Sequence, residues 1–395
     1  MSPAQRTDPE IYLDNNATTA PLPEVADAMA ACFRMGPLNP SSVHRAGTQA
    51  RRKLQEAREQ VAGVLGALTS QVVFTSGATE ANHLVLRNLL TGSMKGFQLV
   101  TNAVEHSSIL EAARQLEDWG VSVRVLPVDR DGLIDLEELA SAIDPGRTLV
   151  SVQWANNETG VVQPMGSIAE LCQARGAVLH SDAVQAVGKL PVDLRKIPVD
   201  FLSLSGHKLH GPVGSGALVR RDSAALIPVL PGGGQESGLR PGTENLPAVV
   251  GLAVALQHRS ERLHRTMAHF EALRHRFEVG LKEAGLVESI NGEHAPRIPN
   301  TSSVTFEGVD GEALVLRLDQ EGVRCSQSSA CTNRKPDPSY VLRAMGLSED
   351  KAFRSLRFSF SEFNTRDEVD RALDKLKTLH SVLRRFHVPA PTVMT

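Results

Sequence analysis

The chain is poor in the side chains on which several functions depend. Aromatic residues make up 4% of its 395 positions, with two tryptophans and two tyrosines, which argues against a platform for stacking nucleobases. Its 42 basic residues are balanced by 45 acidic ones, for a net charge of −3. No tract concentrates the basic residues, so direct nucleic-acid binding is not expected. No apolar run approaches the ~20 residues that a membrane helix needs, so no membrane association is expected. The opening MSPAQRTDPE has no apolar centre, and a secretory signal is not expected. The four cysteines have no framework spacing, which fits reduced thiols in a cytoplasmic setting. CxxC and HExxH are missing, as are internal repeats and low-complexity segments.

Strand-length runs alternate with helical patterns. QVVFTS (71–76), FQLVTN (97–102), VSVRVLPV (121–128), TLVSVQWA (148–155), AVLHSDA (177–183) and DFLSLS (200–205) are β-rich. Between them lie EANHLVLRNLL, SSILEAARQLEDWG, DLEELASAI and SIAELCQARG. This rhythm predicts βαβ units and a mostly parallel sheet flanked by helices. Beyond residue 247 the pattern changes to a long, charged, helix-friendly stretch and then to mixed α/β sequence. A large domain over 15–260 is expected, with 1–14 and 261–395 forming a smaller one.

Chemistry-bearing residues fall at strand ends. Lys208 follows DFLSLS in a bend that also holds Gly206, Gly211, Gly214 and Gly216, where two backbone segments can approach a ligand closely. A lysine so placed suits Schiff-base chemistry. Ser76, Gly77, Ala78 and Thr79 open a helix after a strand, a turn whose N–H groups and Thr79 hydroxyl can cradle a phosphate. Asp182 ends AVLHSD, where a carboxylate could keep a pyridine nitrogen protonated, and Gln185 could reach a phenolic oxygen. His106 follows FQLVTN as a candidate stacking imidazole, and Asn157 follows TLVSVQWA. Each feature alone is explained by an ordinary turn or cap; their occurrence at five strand ends points to pyridoxal phosphate.

With these motifs the chain resembles the cysteine desulfurases of the NifS/IscS type, in the class V aminotransferase group of fold-type I pyridoxal phosphate enzymes. The likeness runs through YLDNNATT (12–19), NPSSVHRAG (39–47), FTSGATEAN (74–82), VEHSSIL (104–110), NNETGVVQP (156–164), HSDAVQAVGK (180–189), SLSGHKLHGPVGSGAL (203–218), GGGQESGLRPGTEN (232–245), CSQSSACTN (325–333), PSYVLRAMG (338–346) and LRFSF (356–360). It implies a Schiff base between Lys208 and pyridoxal 5'-phosphate, with proton transfer by the same lysine. It places Asp182 at the pyridine nitrogen, Gln185 and Asn157 on the phenolic-oxygen side, and His106 on the ring. Ala78, Thr79, Ser205 and His207 would hold the phosphate. Thr243 would reach the phosphate of a neighbouring subunit, which implies a homodimer. Arg357 would clamp the substrate carboxylate, the bidentate task that arginine suits; Asn157 would also touch substrate.

Cys331 matches the family's sulfur-accepting cysteine, on a mobile loop of about 325–337. As a thiolate it would attack the sulfur of L-cysteine, leave alanine, and pass the persulfide to an acceptor such as an iron–sulfur scaffold or a thiolation relay protein. No intrinsic metal site is expected, though Cys331 could join a transient cluster with a scaffold. Cys325 reads as structural, and Cys32 and Cys172 as core residues on helices. A selenocysteine lyase or a class V aminotransferase are the alternative readings. Val213, Ser237, Gln327, Ser328, Arg334, Lys335 and Asp337 depart from common family patterns, which bears on the acceptor and not on the reaction class.

Overall fold

Among the described residues, thirteen strands fall into three groups that follow chain order closely. They are β1 (Ile11–Tyr12), β2 (Val72–Thr75), β3 (Gln98–Asn102), β4 (Val123–Leu126), β5 (Thr148–Ser151), β6 (Val178–Asp182), β7 (Phe201–Ser205), β8 (Gly216–Arg220), β9 (Val287–Ile290), β10 (Thr301–Phe306), β11 (Val323–Arg324), β12 (Ser326–Gln327) and β13 (Ser355–Ser359). This computed structural model describes residues 10–221, 223–224, 226–327 and 337–386. Cys331, Ser328, Arg334 and Lys335 lie outside the described residues.

Seven strands form one sheet in the order β2-β8-β7-β6-β5-β3-β4. From β7 through β4 each neighbouring pair is parallel. β8 runs antiparallel to both β2 and β7, which leaves β2 parallel to the others. The fold is the mostly parallel, helix-flanked sheet predicted from the alternation of runs. Because helices cover both faces, the strands are apolar on both sides. Successive residues alternate between the two layers. Phe201 and Leu149 pack with the helices Ala78–Leu86 and Ser107–Asp118. Leu202 and Val150 pack with Arg45–Leu65, Met165–Arg175 and Leu246–Glu261 on the opposite face.

The helical stretch beyond residue 247 divides at Arg262 into Leu246–Glu261 and Leu263–Glu283. The first helix packs on Pro23–Arg34 and Arg45–Leu65, and the second on Arg366–Leu383. The second half of the chain builds an antiparallel sheet in the order β12-β13-β10-β9. Its apolar core gathers Phe270, Phe277, Phe306, Phe358 and Phe360, five of the chain's twelve phenylalanines. β1 joins this half by pairing parallel with β11. Gly280 lets the helices Leu263–Glu283 and Arg366–Leu383 approach, since a Cβ there would lie 2.5 Å from Leu373 Cδ1.

Phe277 is fully buried, with ring centroids 4.7 Å from Phe358 and 5.7 Å from Phe360. Phe277→Ala should cost about 3–5 kcal/mol of unfolding free energy through the cavity it leaves. Denaturant melts followed by circular dichroism measure this, and a loss no larger than that of a surface substitution would contradict the packing.

Candidate active site

In a parallel sheet every strand delivers its C-terminal end to the same edge, and ligands bind outside that edge. β3, β5, β6 and β7 are consecutive neighbours across the sheet, in the order β7-β6-β5-β3. Their ends carry His106, Asn157, Asp182 and Lys208. β2 is parallel to them, so the Ser76–Thr79 turn opens at the same edge. Ser205 sits beside this turn: a Cβ on Gly77 would come 4.0 Å from Ser205 Oγ. Gly216, opening β8, packs so closely that its own Cβ would lie 2.6 Å from Gly77 Cα. The helix Ala78–Leu86 begins there, with Ala78 partly buried and Thr79 exposed.

The segment 14–19 crosses this edge and ties both halves of the molecule together. Lys208 Nζ donates to the carbonyls of Asn16, at 2.6 Å, and Ala17, at 2.7 Å. Asn16 is 1% exposed and its side chain reaches in two directions. Its Nδ2 donates to Asn157 O and Thr301 Oγ1, and its Oδ1 accepts from Lys189 Nζ and Asn300 Nδ2. Lys189 Nζ also donates to Gln185 Oε1, and Gln185 Nε2 donates to Asn16 O. Burial pushes the Lys189 ammonium well below the usual lysine range, with Lys208, Arg259 and Arg357 adding to the effect. Charged or neutral, the amine has the two hydrogens that these acceptors need.

Asp182 is held from two sides: Oδ1 accepts from Val184 N at 3.1 Å and Oδ2 from Asn82 Nδ2 at 2.9 Å. His106 caps the helix Ser107–Asp118, its Nδ1 accepting from Ser108 N at 3.1 Å. Burial lowers the His106 imidazolium pKa and Lys208 lowers it further, while Asp182 acts against both. His207 is pushed down to about 4 by burial and by Lys208, and its Nδ1 lies 3.2 Å from Thr18 Oγ1.

Arg357 comes from β13 and points across to the sheet edge. Its Nη1 donates to Asn157 O and its Nη2 to Asp14 Oδ1 at 2.7 Å. Asp14 Oδ2 accepts from Ser326 Oγ, so β12, β13 and the N-terminal segment meet at this ion pair. Arg357 Nε and Asn157 Oδ1 are buried without a hydrogen-bond partner among the described residues. Next in sequence, Glu158 is buried and its carboxyl is raised to about 7 by burial, against the lowering pull of Ser339 and Arg357. Ser339 Oγ donates to Glu158 Oε2, and Tyr340 OH to Glu105 O. These contacts fix residues 339–340 to the same sheet edge.

The residues fit the pyridoxal phosphate that the resemblance implies. A glycine-lined turn opens on a helix N-terminus, an amine lies at the edge, and a buried carboxylate already oriented by Asn82 faces the crevice. The orphaned Asn157 Oδ1 and Arg357 Nε are polar atoms that a bound molecule must satisfy. Thr243 is not part of this cluster. It is exposed, on a loop anchored by Glu236, whose carboxylate takes both Arg58 Nη1 and Nη2 and the Phe74 N–H. Glu236 and Ser237 hold left-handed φ values of 48° and 57°. Cys32 and Cys172 are buried, and burial raises both thiols, Cys172 to about 12. Burial also raises the Cys325 thiol, which packs against the phenylalanine core. Among the described residues no cluster of His, Cys, Asp and Glu could hold a metal ion, and no helix is long and apolar enough to cross a membrane.

Sequence reasoning missed Asn16, Lys189, Asn82 and Asp14. All four lie inside stretches already singled out, but none is at a strand's end. The one available signal was the spacing of Lys189 four residues after Gln185, which suits side chains on one turn of helical backbone.

The chain matches the Aminotransferase class-V family over residues 11–372. It is 40% identical over 374 residues to a cysteine desulfurase of Trichormus azollae, covering 95% of this chain and 94% of the relative. Its structure superposes on a NifS-like protein with a TM-score of 0.87 at 36% identity, covering 95% of this chain and 100% of that one. For SspA in complex with cysteine the TM-score is 0.79 at 34% identity, with 90% of this chain and 100% of that chain covered.

Two variants probe the site. Lys189→Met leaves Gln185 Oε1 without its donor, while Asn16 Oδ1 keeps Asn300, which should cost about 1–3 kcal/mol for the one unsatisfied group. It should also weaken cofactor retention; melting curves and dialysis against buffer measure the two effects. Glu158 has a folded value of about 7 against an ordinary 4.5. Its contribution is therefore fully present below pH 4.5, where it is protonated in both states, and is lost as pH rises to about 7. Glu158→Gln cannot ionise, so the stability of wild type relative to this variant should fall by roughly 3 kcal/mol across that window. A pH-independent difference would contradict the burial of a protonated carboxyl.

Proposed function

The chain belongs to the aminotransferase class-V family and, within it, to the cysteine desulfurases, and from that premise we propose that Lys208, Asp182, His106, Asn157 and Arg357 form its active site and that Cys331 receives the sulfur of L-cysteine. It is a pyridoxal phosphate-dependent enzyme. The observation that carries the residue assignment is the meeting of four strand ends with Arg357 from the other sheet, around two buried polar atoms that lack partners.

Pyridoxal phosphate, when bound, supplies an electron-poor ring that draws electrons from the substrate Cα and loosens its carbon–sulfur bond. The phosphate is held at the Gly77 turn by backbone N–H groups near Ala78, by the Thr79 and Ser205 hydroxyls and by His207. Asp182 holds a proton at the pyridine nitrogen, and Asn82 keeps its carboxylate aimed. Gln185, its amide oriented by Lys189 and Asn16, would address the phenolic-oxygen side of the ring. Arg357 binds the substrate carboxylate with its free Nε and with an Nη that loosens its hold on Asp14. Lys208 would hold the cofactor by its aldehyde group, and its amine would move the proton at the substrate Cα. The thiolate of Cys331 then takes the sulfur: a new S–S bond forms as the substrate C–S bond breaks, leaving alanine and an enzyme persulfide.

An acceptor protein, such as an iron–sulfur scaffold or a thiolation relay protein, is the destination of that persulfide in this reading, and the cytoplasm its setting. A homodimer is part of it too. Thr243 is exposed, and Phe33 and Val43 are 69% and 94% exposed, as apolar side chains are where a second copy covers them.

Cys331→Ser should keep the visible absorbance of the bound cofactor yet release no sulfide from L-cysteine in the presence of a thiol reductant. Full sulfide release by that variant would sink the assignment. Amino transfer to a keto acid at a comparable rate would favour the aminotransferase instead.

A further inference from the structure

His106, Ser108, Asn82 and Asp182 form a chain of hydrogen bonds. It starts at the carboxylate of Asp182, whose Oδ2 accepts. The atom of Asn82 that faces it at 2.9 Å must therefore be the amide nitrogen. The second hydrogen on that nitrogen goes to Ser108 Oγ at 3.0 Å. Flipping Asn82 would set its oxygen against the carboxylate, and its Oδ1 has no partner in the present orientation. The backbone N–H of Ser108 donates to His106 Nδ1 at 3.1 Å, so a hydrogen on Nδ1 would point at another hydrogen. Ser108 Oγ lies 2.9 Å from the same Nδ1, and with Asn82 donating to one of its lone pairs its own hydrogen can go to that nitrogen. Nδ1 is therefore bare, and a neutral imidazole must carry its proton on Nε2, on the opposite side of the ring.

We propose that Ser108 and Asn82 are positioning residues that lock His106 in the Nε2–H tautomer and tie that tautomer to the carboxylate of Asp182. The resting imidazole then presents a hydrogen-bond donor to the crevice, and proton removal falls to Lys208. A neutral imidazole held at a helix N-terminus as a donor is a known catalytic arrangement. The charged groups that face His106 from neighbouring elements, Asp182 on β6 and Lys208 after β7, pull its ionisation in opposite directions. The imidazolium form is also opposed by both donors at Nδ1. Ser108 is 8% exposed and Asn82 is fully buried, so solvent does not compete for these bonds. The tautomer stands on geometry alone; its use in turnover rests on the desulfurase reading.

The test uses the full chain, with and without pyridoxal phosphate, labelled with 15N at histidine. His106 signals are assigned by their loss in His106→Asn. From about pH 6 to 8, where histidines ordinarily titrate, Nε2 should be protonated and Nδ1 not. A proton on Nδ1, or an imidazolium in that range, overturns the proposal. Ser108→Ala should show both tautomers and lose about fivefold in kcat at unchanged KM, the size of effect one neutral hydrogen bond carries. Ser108→Thr keeps the hydroxyl and should keep the single tautomer. A packing role predicts the reverse order, because threonine adds volume at a buried position, and that order would count against the relay. The tautomer is read without turnover. A protein with the expected tautomer but no desulfurase activity would therefore refute the function and not the relay.

Discussion

Asn16 uses every hydrogen-bonding group it has, and the active site depends on that. Its N–H donates to Ser359 Oγ, its amide nitrogen to Asn157 O and Thr301 Oγ1, its amide oxygen accepts from Lys189 and Asn300, and its carbonyl accepts from Gln185 and Lys208. These partners come from the antiparallel sheet and from three of the loops at the parallel edge. A buried polar side chain so fully engaged is costly to displace, because each partner would be left unpaired away from water. One residue thereby sets the distance between Lys208 and the half of the protein that carries Arg357. The backbone around it is equally tied: Thr19 N donates to His207 O and Ser359 N to Leu13 O. The strap is a hydrogen-bonded strut, not a loose leader.

The parallel sheet supplies the second constraint. Four adjacent strands end at one edge, so four side chains of different chemistry can be brought together without any long loop to position them. The strands β3, β5, β6 and β7 are buried and short, and their registers fix the height of each end residue. The groups that turn inward are then oriented by others just behind them. Asn82 aims Asp182, Lys189 aims Gln185, and Ser108 aims His106.

Much of this was legible in the sequence, and the reason is physical. Period-two burial on both faces gave the strands of the large sheet as apolar runs, and residues at the ends of such runs are forced to the ligand edge. Lys208, Asp182, His106 and Asn157 could therefore be placed by counting along the chain. Arg357 could not be placed that way; it came from the motif resemblance, and its reach to Asn157 depends on how two sheets pack. Asn16, Lys189 and Asn82 were out of reach of local pattern because their partners are distant. Asn16 bonds residues 141, 173 and 285 positions away. No periodicity encodes such contacts. Asp14 was hidden for the same reason, since its role appears only when β12, β13 and the N-terminal segment are brought together.

The charge balance of the crevice explains why these buried polar contacts are tolerated. Lys208, Arg259 and Arg357 all act on Lys189, whose ammonium is pushed down chiefly by burial, and burial lowers Arg259 as well. His207 and His106 are likewise held toward their neutral forms with Lys208 among the causes. Positive charge is crowded here, and Asp14 and Asp182 offset part of it. A site of this kind favours anions. A phosphate at the Gly77 turn and a carboxylate at Arg357 would each relieve repulsion that the protein alone sustains. Asp14 has a place in that scheme. In pairing with Arg357 it keeps the guanidinium oriented, and in sharing it with an incoming carboxylate it opposes binding, so the ion pair trades some affinity for a fixed geometry. In the proposed desulfurase reaction that trade is useful, because a misdirected carboxylate would carry the substrate's sulfur away from its acceptor.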